Sequence, residues 1–363
     1  MSKDYHINWS AHPNIYNNYS QRTFDVYFSE PDSGVNSETG LLLLIAGFGG
    51  HANSNVYKKM RREFADRYNL VTVQCDYFGY EFMQNIKNLK TPPKSMVSKY
   101  FNQNEIDEIY RNSFNVSLFL ELCSHYDVNF NFEEDLNESI TNFNDMGIMQ
   151  ALDNITALCY VIQIIRDNQL SFNSNKVMVY GHSHGAYLGY LCNAFAPNLF
   201  THLIDNSSWL LPSYFKQSRV LKINNGNISL SVCFTYLAAS LPFDKEILHL
   251  PTLYKKVENS SIIDSFHGTT DTLISHKDKQ QFCKEITFSN YHEISPDKLD
   301  GTMFKSTDHG LGSDHLKLFE HVMREKSFAH STNAITIPSF FLDTCKARYS
   351  FEYDAGIPIL KMK

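Results

Sequence analysis

Five residues, Gly181-His182-Ser183-His184-Gly185, stand between the apolar run NKVMVY (175–180) and the small-residue segment AYLGYLCNAFA (186–196). A nucleophilic serine needs this order: a strand, a strained turn that presents the hydroxyl, then a helix, with glycines where side chains would clash. The pattern G-x-S-x-G also arises by chance in turns that do no chemistry. Its placement between a strand and a helix, with Ala186 and Gly189 permitting close packing, favours the chemical reading. A serine hydroxyl is a poor nucleophile until a base takes its proton and a carboxylate orients that base. Downstream, the apolar run from Ile263 ends in His267-Gly268-Thr269-Thr270-Asp271, which places Asp271 on the loop just beyond a strand tip. Thr307-Asp308-His309-Gly310-Leu311-Gly312 then sets a histidine in a glycine-rich loop ahead of a helical segment.

These motifs, G-H-S-H-G, H-G-T-T-D and D-H-G-L-G, resemble the α/β-hydrolase superfamily, in particular its serine peptidase-like and esterase branch. The resemblance covers about residues 22–80, 145–206 and 259–327. It implies a Ser183, Asp271, His309 triad, with its members in the chain order nucleophile, acid, base. His315 is the second choice of base, and Asp264 and Asp205 are the fallback acids. His267 precedes the acid and reads as structural, and His182 and His184 as packing or hydrogen-bonding neighbours of the nucleophile. An oxyanion needs two preorganised N–H donors. The resemblance assigns one to the backbone of His184, after the nucleophile, and the other to Phe48 in the loop Gly47-Phe48-Gly49-Gly50.

The elements that position these residues follow from hydrophobic patterning. Residues 22–30 alternate as a half-buried antiparallel strand. LLLLIA (41–46) is apolar without alternation, as a parallel strand covered on both faces requires. Residues 55–68 carry Val56, Met60, Phe64 and Tyr68 at helical spacing, and NLVTVQC returns as a buried strand. Residues 145–167 read as a strong amphipathic helix before the strand of the nucleophile. The alternation of strand and helix predicts an α/β fold with a mostly parallel central sheet and helices on both faces. The expected organisation is a core of residues 1–81, 145–206 and 259–330, cap insertions at 82–144 and 207–258, and a strand-rich extension at 331–363, read as a terminal strand pair.

Composition narrows the function classes. Lys and Arg total 32 against 39 Asp and Glu, for a net charge of −7, and the broad basic face of a nucleic-acid binder is absent. The first twenty residues lack a basic and an apolar signal region, and no apolar run approaches the ~18 residues of a membrane span. Seven scattered cysteines without a C-x-x-C pair read as reduced thiols of a cytoplasmic protein. Gly47, Gly49 and Ala52, with Asp76 ending the next strand, also fit a loose dinucleotide fingerprint, a reading that leaves the Ser183, Asp271, His309 order unexplained. His309, Asp314 and His315 could imitate a metal cluster only at the expense of the triad, so neither a cofactor nor a metal is expected.

The segment IDNSSW (204–209) and the D-H-G-L-G loop resemble, more narrowly, an uncharacterised bacterial hydrolase family often encoded near flagellar or surface-glycan genes in Campylobacter-like bacteria. That resemblance implies carbohydrate esters, so the expected partner is a small-molecule or glycan ester. Three functions fit: a carboxylester hydrolase such as a glycan O-deacetylase, a glycan O-acyltransferase using the same triad, and a non-catalytic binding module on a hydrolase scaffold. The aromatics of the first insertion (Tyr100, Phe101, Tyr110, Phe114, Phe119, Tyr126, Phe130, Phe132) could stack on sugars, but read better as the core of the cap.

Overall fold

The computed structural model describes residues 1–353 and 356–363. Strands β1 (Lys3–Ser10), β2 (Thr23–Glu30) and β3 (Gly40–Ile45) lead to helix α1 (Asn55–Tyr68) and strand β4 (Leu70–Cys75). Helices α2 (Lys94–Val97), α3 (Gln103–Ile109) and α4 (Val116–Cys123) precede β5 (Val128–Glu134) and the long α5 (Ile148–Asp167). Then come β6 (Val177–His182), α6 (His184–Phe195), β7 (His202–Asn206), β8 (Arg219–Asn225), β9 (Ile228–Phe234), α7 (Lys245–Leu248) and α8 (Leu250–Leu253). The chain closes with β10 (Ile262–Gly268), α9 (His276–Lys284), β11 (Ser289–Ile294), α10 (His315–Arg324), β12 (Phe340–Asp343), β13 (Arg348–Glu352) and β14 (Ile359–Met362).

Eight strands form the central sheet in the order β1-β2-β4-β3-β6-β7-β10-β11, and β2 alone among them runs against its neighbours. The pleat explains the unbroken apolar runs. Leu41, Leu43 and Ile45 of β3 belong to the core on one face, beneath α5 and α6, whereas Leu42 and Leu44 join the core under α1 and α10. There the rings of Phe64 and Phe319 lie 4.1 Å apart. Helices on both faces of a mostly parallel sheet, with a serine turn at the tip of a central strand, make this an α/β-hydrolase fold.

Several elements differ from the sequence reading. Strand β1 joins the sheet at its edge, although its residues lack the burial that marks a strand; Tyr5, Ile7 and Trp9 supply a faint alternation. Val56 of α1 is 58% exposed, and the buried stripe runs instead through Met60, Arg61, Phe64 and Ala65. Helix α5 is buried nearly all round rather than amphipathic, because polar Gln150, Asp153 and Asn154 find partners inside the fold. Asp153 receives both terminal nitrogens of Arg22 at 2.6 and 2.7 Å. By length and composition α5 could cross a membrane, but 83% of its most apolar window is buried within the protein.

The tail forms a three-stranded sheet, β12-β13-β14, rather than a strand pair. It packs on the outer side of α6, where Phe351 stacks on Phe195 at 4.8 Å and the Tyr353 hydroxyl donates to the Phe195 carbonyl at 2.6 Å. The two cap insertions come together. Residues 128–134 pair in parallel with 228–234, and β8 adds an antiparallel edge, so both contribute to one sheet, β5-β9-β8. Phe101, Phe119, Phe130 and Phe132 are buried beneath it, which makes them core rather than binding surface.

Candidate active site

Ser183 sits at the junction of β6 and α6 with φ 54° and ψ −118°, a left-handed conformation that costs energy for a residue with a side chain. Close packing on both sides holds it there. At Gly185 an added Cβ would lie 2.2 Å from the Ile45 carbonyl oxygen, so only glycine lets α6 start this near β3. The Ser183 N–H donates to the Asn206 carbonyl at 2.8 Å, tying the turn to the tip of β7.

The Ser183 hydroxyl donates to His309 Nε2 at 2.6 Å, and His309 Nδ1 donates to Asp271 Oδ2 at 2.7 Å. Asp271 Oδ1 accepts the N–H groups of Leu273 and Ile274 at 2.8 and 3.1 Å. Burial pushes the Asp271 carboxyl upward, but the hydrogen bond and charge of His309, with His267 and the Ile274 N–H, outweigh it and hold the acid below its ordinary value. The Asp271 side chain is fully buried, while His309 keeps an 18% exposed side chain toward solvent.

His267 does more than pack. Its Nε2 donates to the Ile274 carbonyl at 3.1 Å and lies 3.3 Å from Asp271 Oδ2, so it braces the acid from behind. His315 stands apart from the serine, 3.3 Å from the Tyr180 hydroxyl. The fallback acids are engaged elsewhere. Asp205 forms a buried ion pair with Lys279 at 2.6 Å and accepts from Ser265 and Tyr190. Asp264 is surrounded by His202, His292 and Lys326. His184 is fully buried, which drives its pKa down to about 3, and its Nε2 donates to Gln150 Oε1 at 2.6 Å. Burial, aided by the neighbouring His315 and His309, likewise lowers His182 to about 3.

The backbone N–H of His184 opens α6 and belongs to the first turn of donors that find no partner within a helix. In the facing loop, Gly47 N donates to the Tyr57 hydroxyl, Gly49 N to Met83 Sδ and Gly50 N to the Gly47 carbonyl. Among the described residues this leaves the Phe48 N–H as the uncommitted amide of that loop. The Phe48 and His184 rings touch at 5.6 Å, so the two donors belong to neighbouring residues. Gly49 is favoured by its φ of +83°, and the Gln84 side chain packs into the space a Cβ would take. Asp76, which a dinucleotide site would reserve for a ribose, accepts the Ala52 N–H instead. Among the described residues no group of three or more His, Cys, Asp or Glu is placed to hold a metal ion.

Ser183 and His309 open into a pocket of about 360 Å³ walled by Phe48, Trp209, Gln84, Arg219 and Leu273. Gln84 and Arg219 carry no motif and come from the irregular insertions, so sequence patterning does not single them out. Trp209 lies in IDNSSW, a segment that wraps the nucleophile turn: Asp205 and Ser208 meet Lys279, Asn206 receives the Ser183 N–H, and Trp209 reaches the pocket.

A family model described as a protein of unknown function (DUF2920) matches residues 83–217, a stretch that includes Ser183. No curated protein matches the chain. Among solved structures it is similar to Est1E from Butyrivibrio proteoclasticus, with 13% identity and a TM-score of 0.43 over 84% of this chain and 92% of that one. It is also similar to the esterase Est2 from Thermogutta terrifontis, with 13% identity and a TM-score of 0.42 over 86% and 90%. The esterase domain of a Rhodothermus marinus protein aligns at 9% identity and a TM-score of 0.40 over 85% and 91%.

Proposed function

We propose that this protein is a serine esterase that cleaves carboxylic esters through an acyl-enzyme on Ser183, with an O-acylated sugar or sugar precursor as the substrate class. The observation that carries the reading is the unbroken relay from Ser183 Oγ to His309 Nε2 and from His309 Nδ1 to Asp271. His309 takes the proton as Ser183 Oγ bonds to the carbonyl carbon, and the new oxyanion meets the N–H groups of His184 and Phe48. As the carbon–oxygen bond to the alcohol breaks, His309 returns the proton to that alcohol. Water, activated by the same histidine, then releases the acid and restores the serine. The buried Asp271 keeps the Nδ1 proton facing itself, so that Nε2 always faces the serine as an acceptor. The sugar assignment rests on the resemblance of IDNSSW and D-H-G-L-G.

The test is labelling with a fluorophosphonate followed by peptide mapping and by assays on acetylated sugars. The expected result is a stoichiometric adduct on Ser183 that is lost in His309→Ala, together with release of acetate. A folded protein that takes no adduct would sink the proposal.

A further inference from the structure

Among the described residues, Arg219 brings an unpaired charge to this pocket. It stands at the start of β8, in the second insertion, and lines the same cavity as Ser183 and His309. Its guanidinium carbon lies 5.1 Å from the Phe48 ring centroid and 5.5 Å from that of Tyr214, so two aromatic faces hold it in place. Its hydrogen bonds go to neutral oxygens: Nη1 donates to the Tyr214 hydroxyl at 2.6 Å and Nη2 to Gln84 Oε1 at 2.7 Å. A guanidinium carries five N–H donors, so these two bonds leave three unspent. Nε is buried and, among the described residues, has no partner; the partners of the terminal nitrogens among those residues, Tyr214 and Gln84, are both uncharged. Arg22 makes the contrast: it also lies against an aromatic ring, that of Phe78, but both its terminal nitrogens are taken up by Asp153.

A fixed, partly buried cation with spare donors is completed by an anion from outside. Trp209 strengthens the point, because its buried Nε1 also lacks a partner among the described residues and belongs to the same pocket. Arg219 is the one Lys or Arg among the described residues lining the cavity. A single planar guanidinium matches the charge and fork of a carboxylate, whereas a doubly charged phosphate would call for further cations.

We propose that Arg219 anchors a carboxylate carried by the ester that Ser183 attacks, so that the substrate is an acidic ester. The proposal rests on the esterase reading above and narrows its substrate class. Two pairs of probes place the carboxylate on either side of the scissile bond: 4-nitrophenyl hemisuccinate against 4-nitrophenyl valerate, and 4-acetoxybenzoate against 4-acetoxybenzamide. In the wild type, the acidic member of at least one pair should have the higher kcat/KM, by roughly tenfold or more. That ratio should collapse in Arg219→Gln, through KM, and return in part in Arg219→Lys. A wild type that prefers both neutral esters, or a ratio that Arg219→Gln does not move, overturns the proposal. If the wild type cleaves none of the four and takes no fluorophosphonate adduct, the esterase reading falls and binding decides the anion site. Succinate or 4-hydroxybenzoate should then raise the melting temperature of the wild type and not of Arg219→Gln, and the absence of any such rise would count against it.

Discussion

Replacing Asp271 by asparagine should remove catalysis while leaving the site's shape in place, and the hydrogen-bond pattern shows why. The two carboxylate oxygens of Asp271 face different partners. Oδ1 accepts two backbone N–H groups, from Leu273 and Ile274, whereas Oδ2 faces His309 Nδ1 at 2.7 Å. In Asp271→Asn the amide oxygen must stay on the Oδ1 side, because an NH2 group there would confront two donors. The NH2 group therefore lands opposite His309 and donates to Nδ1. The imidazole proton moves to Nε2, and the ring now presents a donor to Ser183 where it must present an acceptor. A base locked in the wrong tautomer costs roughly 10⁴-fold in kcat, or about 5.4 kcal/mol of barrier at 1.36 kcal/mol per tenfold. Hydrolysis of 4-nitrophenyl acetate, measured beside a melting curve to show that the variant is folded, is the assay. A folded Asp271→Asn enzyme that keeps more than a tenth of wild-type kcat would refute the assignment of acid and base together.

Two further outcomes concern stability. Burial raises the Asp264 carboxyl, but the hydrogen bonds from His202, His292 and Lys326 more than reverse this and hold it below its ordinary value. Its contribution is therefore complete above the unfolded value of about 3.9 and drains away as the pH falls through the folded one. Asp264→Asn should cost about 3 to 5 kcal/mol at pH 7, and urea midpoints should show the gap to wild type narrowing below about pH 4; a gap that stays constant with pH would contradict the pairing. Phe351→Ala, at a fully buried position stacked on α6, should cost about 3 to 5 kcal/mol with kcat preserved in the folded protein, since Phe351 lies outside the pocket. A loss of urea stability smaller than about 1 kcal/mol would mean that the tail sheet does not cover the core as described.

How much was legible in the sequence depended on whether a residue's surroundings are local in the chain. Ser183 and Asp271 each stand just past a strand, and His309 sits in a glycine-rich loop just ahead of α10, so a reading of runs and turns picks out all three. The runs LLLLI and VMVY announce a sheet covered on both faces, because neither alternates. Burial by distant segments leaves no such trace. Helix α5 reads as amphipathic on its own, yet its polar residues are buried against Arg22, Phe78 and His184, contributed by other segments of the chain. Strand β1 has polar residues on an exposed edge, where hydrogen bonding and not burial makes the strand. Arg219 and Gln84 enter the pocket from irregular insertions and meet each other across 135 residues of chain, a distance that no motif spans. The role of His267 as a brace for the acid could have been read from its i,i+4 placement before Asp271, had the turn between them been known to fold back.

The sheet built from β5 and β9 has a consequence for the order in which this chain assembles. Val128 pairs with Ile228 and Glu134 with Phe234, a constant offset of about 100 residues. Closing so long a loop in a free chain is entropically costly, and contacts of that span slow folding. Between the two strands lie α5, β6, α6 and β7, the elements that build the serine turn. Packing of those elements shortens the effective loop between β5 and β9 and lowers the entropic cost of their pairing. The wall that carries Arg219 is therefore expected to pair after the turn of Ser183 has packed, an order that phi values at Phe130 in β5 and Val179 in β6 would test.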